Sequence, residues 1–298
     1  MFPGQGSQYV GMAKDLVDHE AAQPVFETVE RILGRDFLPI LFEGPEDELK
    51  QTRNTQPAIF VHSMALVSLL GGQRAVMTAG HSLGEYSALV FAGALSFEDG
   101  LKVVRLRGEL MQLAGSERPG TMAAVIGLEA GAVETLCGEA SSAGIVQAAN
   151  FNSPGQVVIS GSVEGVRQAM NFAKASGAKL VKELVVSGAF HSPLMESARS
   201  ELERALADTT ISDAAIPVYA NVSARPVQRA SEIRDLLVRQ LTSPVRWEES
   251  VVAMSNDGAT SFIEIGPGKV LQGLVRRILP GSDISGIDSL ADAEGAQS

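Results

Sequence analysis

The stretch Val76-Met77-Thr78-Ala79-Gly80-His81-Ser82-Leu83-Gly84-Glu85-Tyr86-Ser87-Ala88-Leu89-Val90 decides the fold. An apolar, strand-like run ends at Ala79, G-x-S-x-G occupies Gly80 to Gly84, and a helix-forming run follows. That order holds a serine on a sharp turn between a strand and a helix. The glycines are required because neighbouring segments pass too close for a Cβ. With 30 glycines in the chain the pattern alone is weak, so its context carries the reading. Working outward, Ile216 to Val222 and Ser261 to Ile265 read as strands, and Gly266-Pro267-Gly268 introduces a helical Lys269 to Leu279. The alternation predicts an α/β fold with a mainly parallel sheet covered by helices.

The middle of the chain reads differently. A strand at Met122 to Ile126 precedes a helix at Val133 to Ser141, and strands at Ile145 to Ala149 and Gln156 to Ser160 follow. A helix at Val163 to Ser176 and a strand at Ala178 to Val186 complete a β-α-β-β-α-β order, that of a split βαβ or ferredoxin-like unit. The economical division is a small α+β domain at 118–187 inserted into a large α/β domain made of 1–117 and 188–298. The Ala-, Gly- and Ser-containing tail after Asp288 is expected to fray.

Composition narrows the function classes. A net charge of −11 opposes non-specific nucleic-acid binding, which requires clustered Lys and Arg. An anionic substrate would need a local basic patch, for which Arg276 and Arg277 or Lys174, Lys179 and Lys182 are candidates, although solvated surface charge explains them equally. No apolar run reaches the length of a membrane span, and Met1 to Gln8 lacks a signal-peptide pattern, so the expectation is a cytoplasmic protein. The single cysteine, Cys137, has no partner for a disulfide or a metal and reads as a buried small hydrophobe.

A serine hydroxyl becomes a nucleophile only when a base takes its proton, and histidine is the usual base near neutral pH. Four histidines are available. His19 sits among Asp15, Asp18 and Glu20, and His62 lies inside the helical run Ala58 to Leu70, so both read as structural. His81, adjacent to Ser82 on an extended strand, is expected to point to the opposite face. His191 remains, in the loop between the strand ending at Val186 and a helix starting near Pro193, where α/β enzymes carry catalytic groups. The N–H of Leu83 is one candidate oxyanion donor, and the glycine-flanked segment Phe2 to Gln8 can supply another.

Ser96 and Asp99 form a capping box that starts a helix running to about Leu113. At about 100° per residue, Arg107 falls among Val103, Val104, Leu110 and Met111 on the apolar arc. A buried guanidinium needs a partner, either a protein carboxylate or a ligand anion, unless its head reaches water. A substrate carboxylate suits its planar fork.

With these residues in place, the sequence resembles the malonyl-CoA:acyl carrier protein transacylase family. The resemblance is carried by PGQGSQ at Pro3 to Gln8, QPA at Gln56 to Ala58, GHSLGEYSAL at Gly80 to Leu89 and Arg107 to Gln112. It continues through NFNSPGQVVISG at Asn150 to Gly161, GAFHSPLM at Gly188 to Met195, Val238 to Trp247 and EIGPGKVL at Glu264 to Leu271. It implies an α/β-hydrolase-like large domain with a ferredoxin-like insert. It also implies malonyl transfer from coenzyme A to acyl carrier protein in fatty acid synthesis, through an acyl-Ser82, with His191 as base and no metal or further cofactor. In the family's pattern the amides of Gln5 and Leu83 hold the oxyanion, Arg107 holds the malonyl carboxylate and the backbone carbonyl of Gln240 orients the histidine. Phe190 matches the position associated with malonyl over methylmalonyl. The family has a strand before the PGQG turn where only Met1 and Phe2 stand here, and the link at Gly71 to Arg74 is short, which implies a trimmed or altered sheet. The competing readings are a serine esterase or thioesterase, a discrete acyltransferase serving a polyketide synthase, and a non-catalytic carrier-binding module.

Overall fold

The chain starts with helices α1 (Gln23–Leu33), α2 (Phe37–Phe42), α3 (Glu46–Leu49) and α4 (Thr52–Leu69). The last is buried on nearly every face, which is why its apolar residues show no stripe. After β1 (Thr78–Ala79) come α5 (Gly84–Phe91) and α6 (Phe97–Glu117), the latter capped by Ser96 Oγ accepting from Asp99 N–H. The structure, a computed structural model, describes residues 1–71 and 75–296; most of the short link at Gly71 to Arg74 lies outside them.

Next come β2 (Gly120–Ile126), α7 (Ala130–Ala140), β3 (Val146–Ser153), β4 (Gln156–Ser162), α8 (Val163–Ala175) and β5 (Leu180–Glu183). The four strands form one antiparallel sheet in the order β3-β4-β2-β5, with Met122 opposite Ser160 and Val125 opposite Val181. Alternating residues of the strands meet α7 and α8 in a core of their own, around Val125, Leu136, Ile159 and Val166. β3 also reaches outside this sheet: Val245 N–H donates to Ala149 O (2.8 Å) and Phe151 N–H to Val245 O (2.9 Å).

The remaining elements are α9 (Glu196–Asp208), β6 (Val218–Tyr219), β7 (Pro226–Val227), α10 (Ala230–Gln240), α11 (Trp247–Asn256), β8 (Ser261–Ile265), α12 (Val270–Ile278), β9 (Asp283–Ile287) and α13 (Leu290–Gly295). β1 and β6 pair in parallel, β6 and β7 antiparallel, and β8 and β9 in parallel, so the protein is α/β with mixed sheets. Met1 and Phe2 join them, because Phe2 N–H donates to Ala79 O and Ile265 N–H to Met1 O. Among the described residues no helix is long and apolar enough to cross a membrane.

Two expectations need correction. The runs Val76 to Ala79 and Ile216 to Val222 contract to two-residue strands, because Val76 is 72% exposed and the turn at Gly80 to Ser82 ends the ladder. The described part of the tail after Asp288 is ordered as a helix. Ser289 and Asp292 form a capping box, Leu290 N–H donates to Asp15 Oδ2 and Ala293 is buried, which together hold α13.

Trp247, the largest fully buried side chain, packs with Val251, Met254 and Leu271, its ring 5.7 Å from that of His81. Trp247→Ala is expected to cost about 3–5 kcal/mol, the scale of such truncations. Urea denaturation of the two proteins checks this, and a loss below about 1 kcal/mol would contradict the packing.

Candidate active site

The turn between β1 and α5 is built by exclusion. A Cβ on Gly80 would lie 1.9 Å from the backbone of Gly84, and one on Gly84 would lie 2.1 Å from Phe2 O. Between them Ser82 is forced to φ 49°, a left-handed conformation costly for a side-chain-bearing residue. Asn221, just beyond β6, holds this turn: its Oδ1 accepts from Ser82 N–H (2.6 Å) and its Nδ2 donates to Gly80 O (2.7 Å).

His191 is held in the same way. Its φ is 57°, and Gln147 of β3 donates Nε2–H to its carbonyl at 2.7 Å. The ring lies with Nε2 2.8 Å from Ser82 Oγ and Nδ1 2.9 Å from the backbone carbonyl of Gln240. A carbonyl only accepts, so Nδ1 carries the proton and Nε2 is left to accept from the serine hydroxyl. Burial, and then the nearby Arg107 charge, push the imidazole down to about 3, which keeps it neutral.

Arg107 of α6 is completely buried. Its Nη1 donates to Gln56 Oε1 (2.7 Å), and its Nη2 donates to Gln240 Oε1 (2.9 Å) and Ser82 Oγ (3.1 Å). The ring of Tyr86 lies 5.6 Å from the guanidinium carbon. Among the described residues no carboxylate comes within ion-pair distance of it and its head does not reach water, which leaves a ligand anion of the partners expected from sequence. Glu85 lies beyond the Gln240 carboxamide, from which it accepts at 2.9 Å, and burial raises its carboxyl to about 7.

These groups open on a cleft of about 300 Å³, with Gln5, Leu83 and Phe190 in its lining, Met122 and Val158 on the small-sheet side and Leu274 of α12 opposite. A Cβ on Gly4 would lie 2.4 Å from His81 O, so the Pro3 to Gly6 turn presses directly against the serine turn. Among the described residues the backbone N–H groups of Gln5 and Leu83 have no acceptor within the fold. A hydroxyl so placed can pass its proton to the imidazole, attack a carbonyl and leave the oxyanion to those two amides.

Residues 1–291 match the family model for the acyl transferase domain. The chain belongs to the acyl transferase family. It is 46% identical over 282 residues to the malonyl CoA-acyl carrier protein transacylase of Bacillus subtilis (strain 168), covering 93% of this chain and 89% of that protein. The crystal structure of acyl-carrier-protein S-malonyltransferase from Burkholderia pseudomallei 1710b superposes with a TM-score of 0.95 at 41% identity, covering 99% of this chain and 97% of the other. A type II PKS acyl-carrier protein in complex with its malonyl-transacylase gives the same TM-score, identity and coverage.

This acyl transferase brings Gln5, Ser82, Leu83, Arg107, Phe190, His191 and Gln240 together around one cleft. The other histidines lie apart from the serine hydroxyl: His81 Nε2 pairs with Asn152 Oδ1, His62 with Asp288, and His19 Nδ1 accepts from Ala21 N–H. Of the basic candidates, Arg277 bonds Gln156 at the cleft's edge, while Lys174, Lys179 and Lys182 lie exposed on the small unit. Gln56, Glu85, Gln147 and Asn221 were missed. For Asn221, a polar residue just after a parallel strand was the available signal.

Because the folded state disfavours protonated His191, the imidazole contributes stability in full above about 6.5, and that contribution is lost as pH falls toward about 3. His191→Gln is expected to flatten stability across that window. Urea midpoints for both proteins between those pH values check it; parallel curves would count against the assigned environment.

Proposed function

We propose that this acyl transferase moves malonyl groups from malonyl-CoA to the phosphopantetheine thiol of acyl carrier protein by a ping-pong mechanism, for fatty acid synthesis in the cytoplasm. Ser82 Oγ attacks the thioester carbonyl as its proton passes to His191 Nε2, and the amides of Gln5 and Leu83 hold the oxyanion. Collapse releases coenzyme A as the imidazolium returns its proton to the departing thiolate. The carrier thiol then gives its proton to His191, attacks the malonyl-Ser82 ester and leaves as the thioester, restoring the serine. The Gln240 carbonyl orients the imidazole throughout, and Arg107 holds the malonyl carboxylate. Coenzyme A enters as part of the substrate, and the steps use no cofactor.

The observation that carries the malonyl reading is a buried guanidinium 3.1 Å from the serine oxygen, with no carboxylate partner among the described residues. In water-poor surroundings such a cation favours an acyl group that brings its own carboxylate. The same reading divides the chain into an α/β-hydrolase-like large domain, 1–117 and 188–298, and a ferredoxin-like insert, 118–187. The sheet order β3-β4-β2-β5 with both helices on one core supports the insert. A carrier from polyketide synthesis is a second reading, favoured by the likeness to the PKS carrier complex.

Incubation with malonyl-CoA is expected to give a persistent malonyl adduct on Ser82 in intact-mass spectra, absent from Ser82→Ala; rapid hydrolysis would favour a thioesterase. Arg107→Ala should weaken malonyl transfer by roughly two to three orders of magnitude, the ~3–5 kcal/mol of breaking a buried charge interaction. An unchanged malonyl preference would sink the assignment. Phe190, buried at the cleft, should crowd a branched acyl group. Phe190→Ala is therefore expected to narrow the malonyl over methylmalonyl ratio by about tenfold or more, the worth of one methylene, measured with the two thioesters in competition.

A further inference from the structure

The groups around Arg107 share one property: none of the partners within bonding distance is charged. Its Nη hydrogens go to two carboxamide oxygens, Gln56 Oε1 and Gln240 Oε1, and to the hydroxyl of Ser82, and its central carbon lies over the Tyr86 ring at 5.6 Å. Hydrogen bonds to amides hold a guanidinium in position without cancelling its charge.

Gln56 is the partner with no second task at the catalytic atoms. The Gln240 carboxamide also donates to Ser82 O and Glu85, and its backbone orients His191. Gln56, on α4, is 1% exposed, lines the cleft and is fixed end to end: Oε1 faces Arg107 at 2.7 Å and Nε2 faces Met111 Sδ at 3.1 Å. The amide orientation follows from chemistry, because arginine can only donate and a thioether sulfur can only accept. The one buried carboxylate of this network, Glu85, is kept one residue away from the cation by Gln240 and is raised to about 7 by burial.

We infer that Gln56 is a specificity-determining positioning residue. Its neutral carboxamide aims Arg107 into the cleft while leaving the guanidinium charge unspent, so that the site prefers acyl groups carrying a carboxylate to those without one. A glutamate at this position would have the same shape and would satisfy the same Nη1 hydrogen. It would also neutralise the cation from inside the protein and repel an incoming carboxylate. The inference rests on the malonyl reading proposed above.

The test is the ratio of malonyl to acetyl loading on Ser82, measured by intact mass with malonyl-CoA and acetyl-CoA in competition, for wild type, Gln56→Glu and Gln56→Met. Partial unfolding lowers both rates together and leaves this ratio alone. Gln56→Glu is expected to lower it roughly 100-fold, the scale of like charges brought together in a buried site. Gln56→Met removes the hydrogen bond without adding charge and should lower the ratio by less than about tenfold. A wild-type ratio in Gln56→Glu overturns the inference, as does an equal collapse in Gln56→Met, and the methionine variant decides alone if the glutamate variant does not fold. Failure of the wild type to load malonyl at all would sink the proposed function instead.

Discussion

Two side-chain-bearing residues in the left-handed region face each other across one hydrogen bond, and much of the surrounding architecture exists to keep them there. Ser82 at φ 49° and His191 at φ 57° meet with 2.8 Å between Oγ and Nε2. Each such backbone costs on the order of 1–3 kcal/mol and survives only when its neighbours over-determine it. At Ser82 the constraint is steric, from Gly80 and Gly84, and bonded, from both ends of the Asn221 carboxamide. At His191 it is Gln147 on the carbonyl, and the Ser192 hydroxyl tightening the turn through Ala189 O. A turn that strained would relax if water or a neighbouring Cβ could enter, so burial of His191 and Asn221 belongs to the same arrangement.

The electrostatics pass through a single residue. Gln240 offers its backbone carbonyl to the imidazole, its side-chain oxygen to Arg107, and its side-chain N–H groups to Ser82 O and Glu85. His191, Arg107, the Ser82 backbone and Glu85 are thus fixed relative to one another by the last residue of α10. A backbone carbonyl in the role an acid fills elsewhere orients the ring without adding a negative charge beside it. That leaves burial and Arg107 free to depress the imidazole, the condition for a base that is unprotonated at rest. It also keeps the cleft positive in sum, the sign suited to an anionic acyl group.

The parts legible in the sequence were those with a periodic or local signature. The β-α-β-β-α-β order of the middle segment emerged because strands and helices each mark their own residues by a different period, and β8 spans the same Ser261–Ile265 in sequence and structure. Arg107 announced itself by standing on the wrong face of α6, and His191 by elimination among four histidines. Other features left weaker marks. β1 and β6 are two residues long because their pairing ends at the active-site turns, which no apolar run records. The Ser289 and Asp292 box was overlooked because the composition of the tail masked it. Gln56, Gln147 and Asn221 are polar residues whose significance lies in what they face, and the Gln240 carbonyl came only through family resemblance, since a backbone group has no letter of its own.

The clamps on Ser82 and His191 originate in different sheets. Ser82 is held by β1, α5 and Asn221 just beyond β6. His191 is held from the other side: Gln147 of β3 grips its carbonyl, and the hydrogen bonds of Ala149 and Phe151 with Val245 anchor the segment just after Gln240. β3 therefore couples the small sheet to both backbone positions that define the imidazole, its own carbonyl and, through Val245, the segment whose Gln240 carbonyl accepts the hydrogen bond from Nδ1–H. Asn152 of the same strand also bonds His81 Nε2 (2.9 Å), so β3 reaches the turn that carries Ser82 as well as His191. The cleft is lined by Ser82 and His191 and by Asn150 and Asn152 of β3, so a group bound there touches both the small sheet and the turn that carries the serine. Its fit in about 300 Å³ bears on the geometry of the reacting pair as well as on affinity.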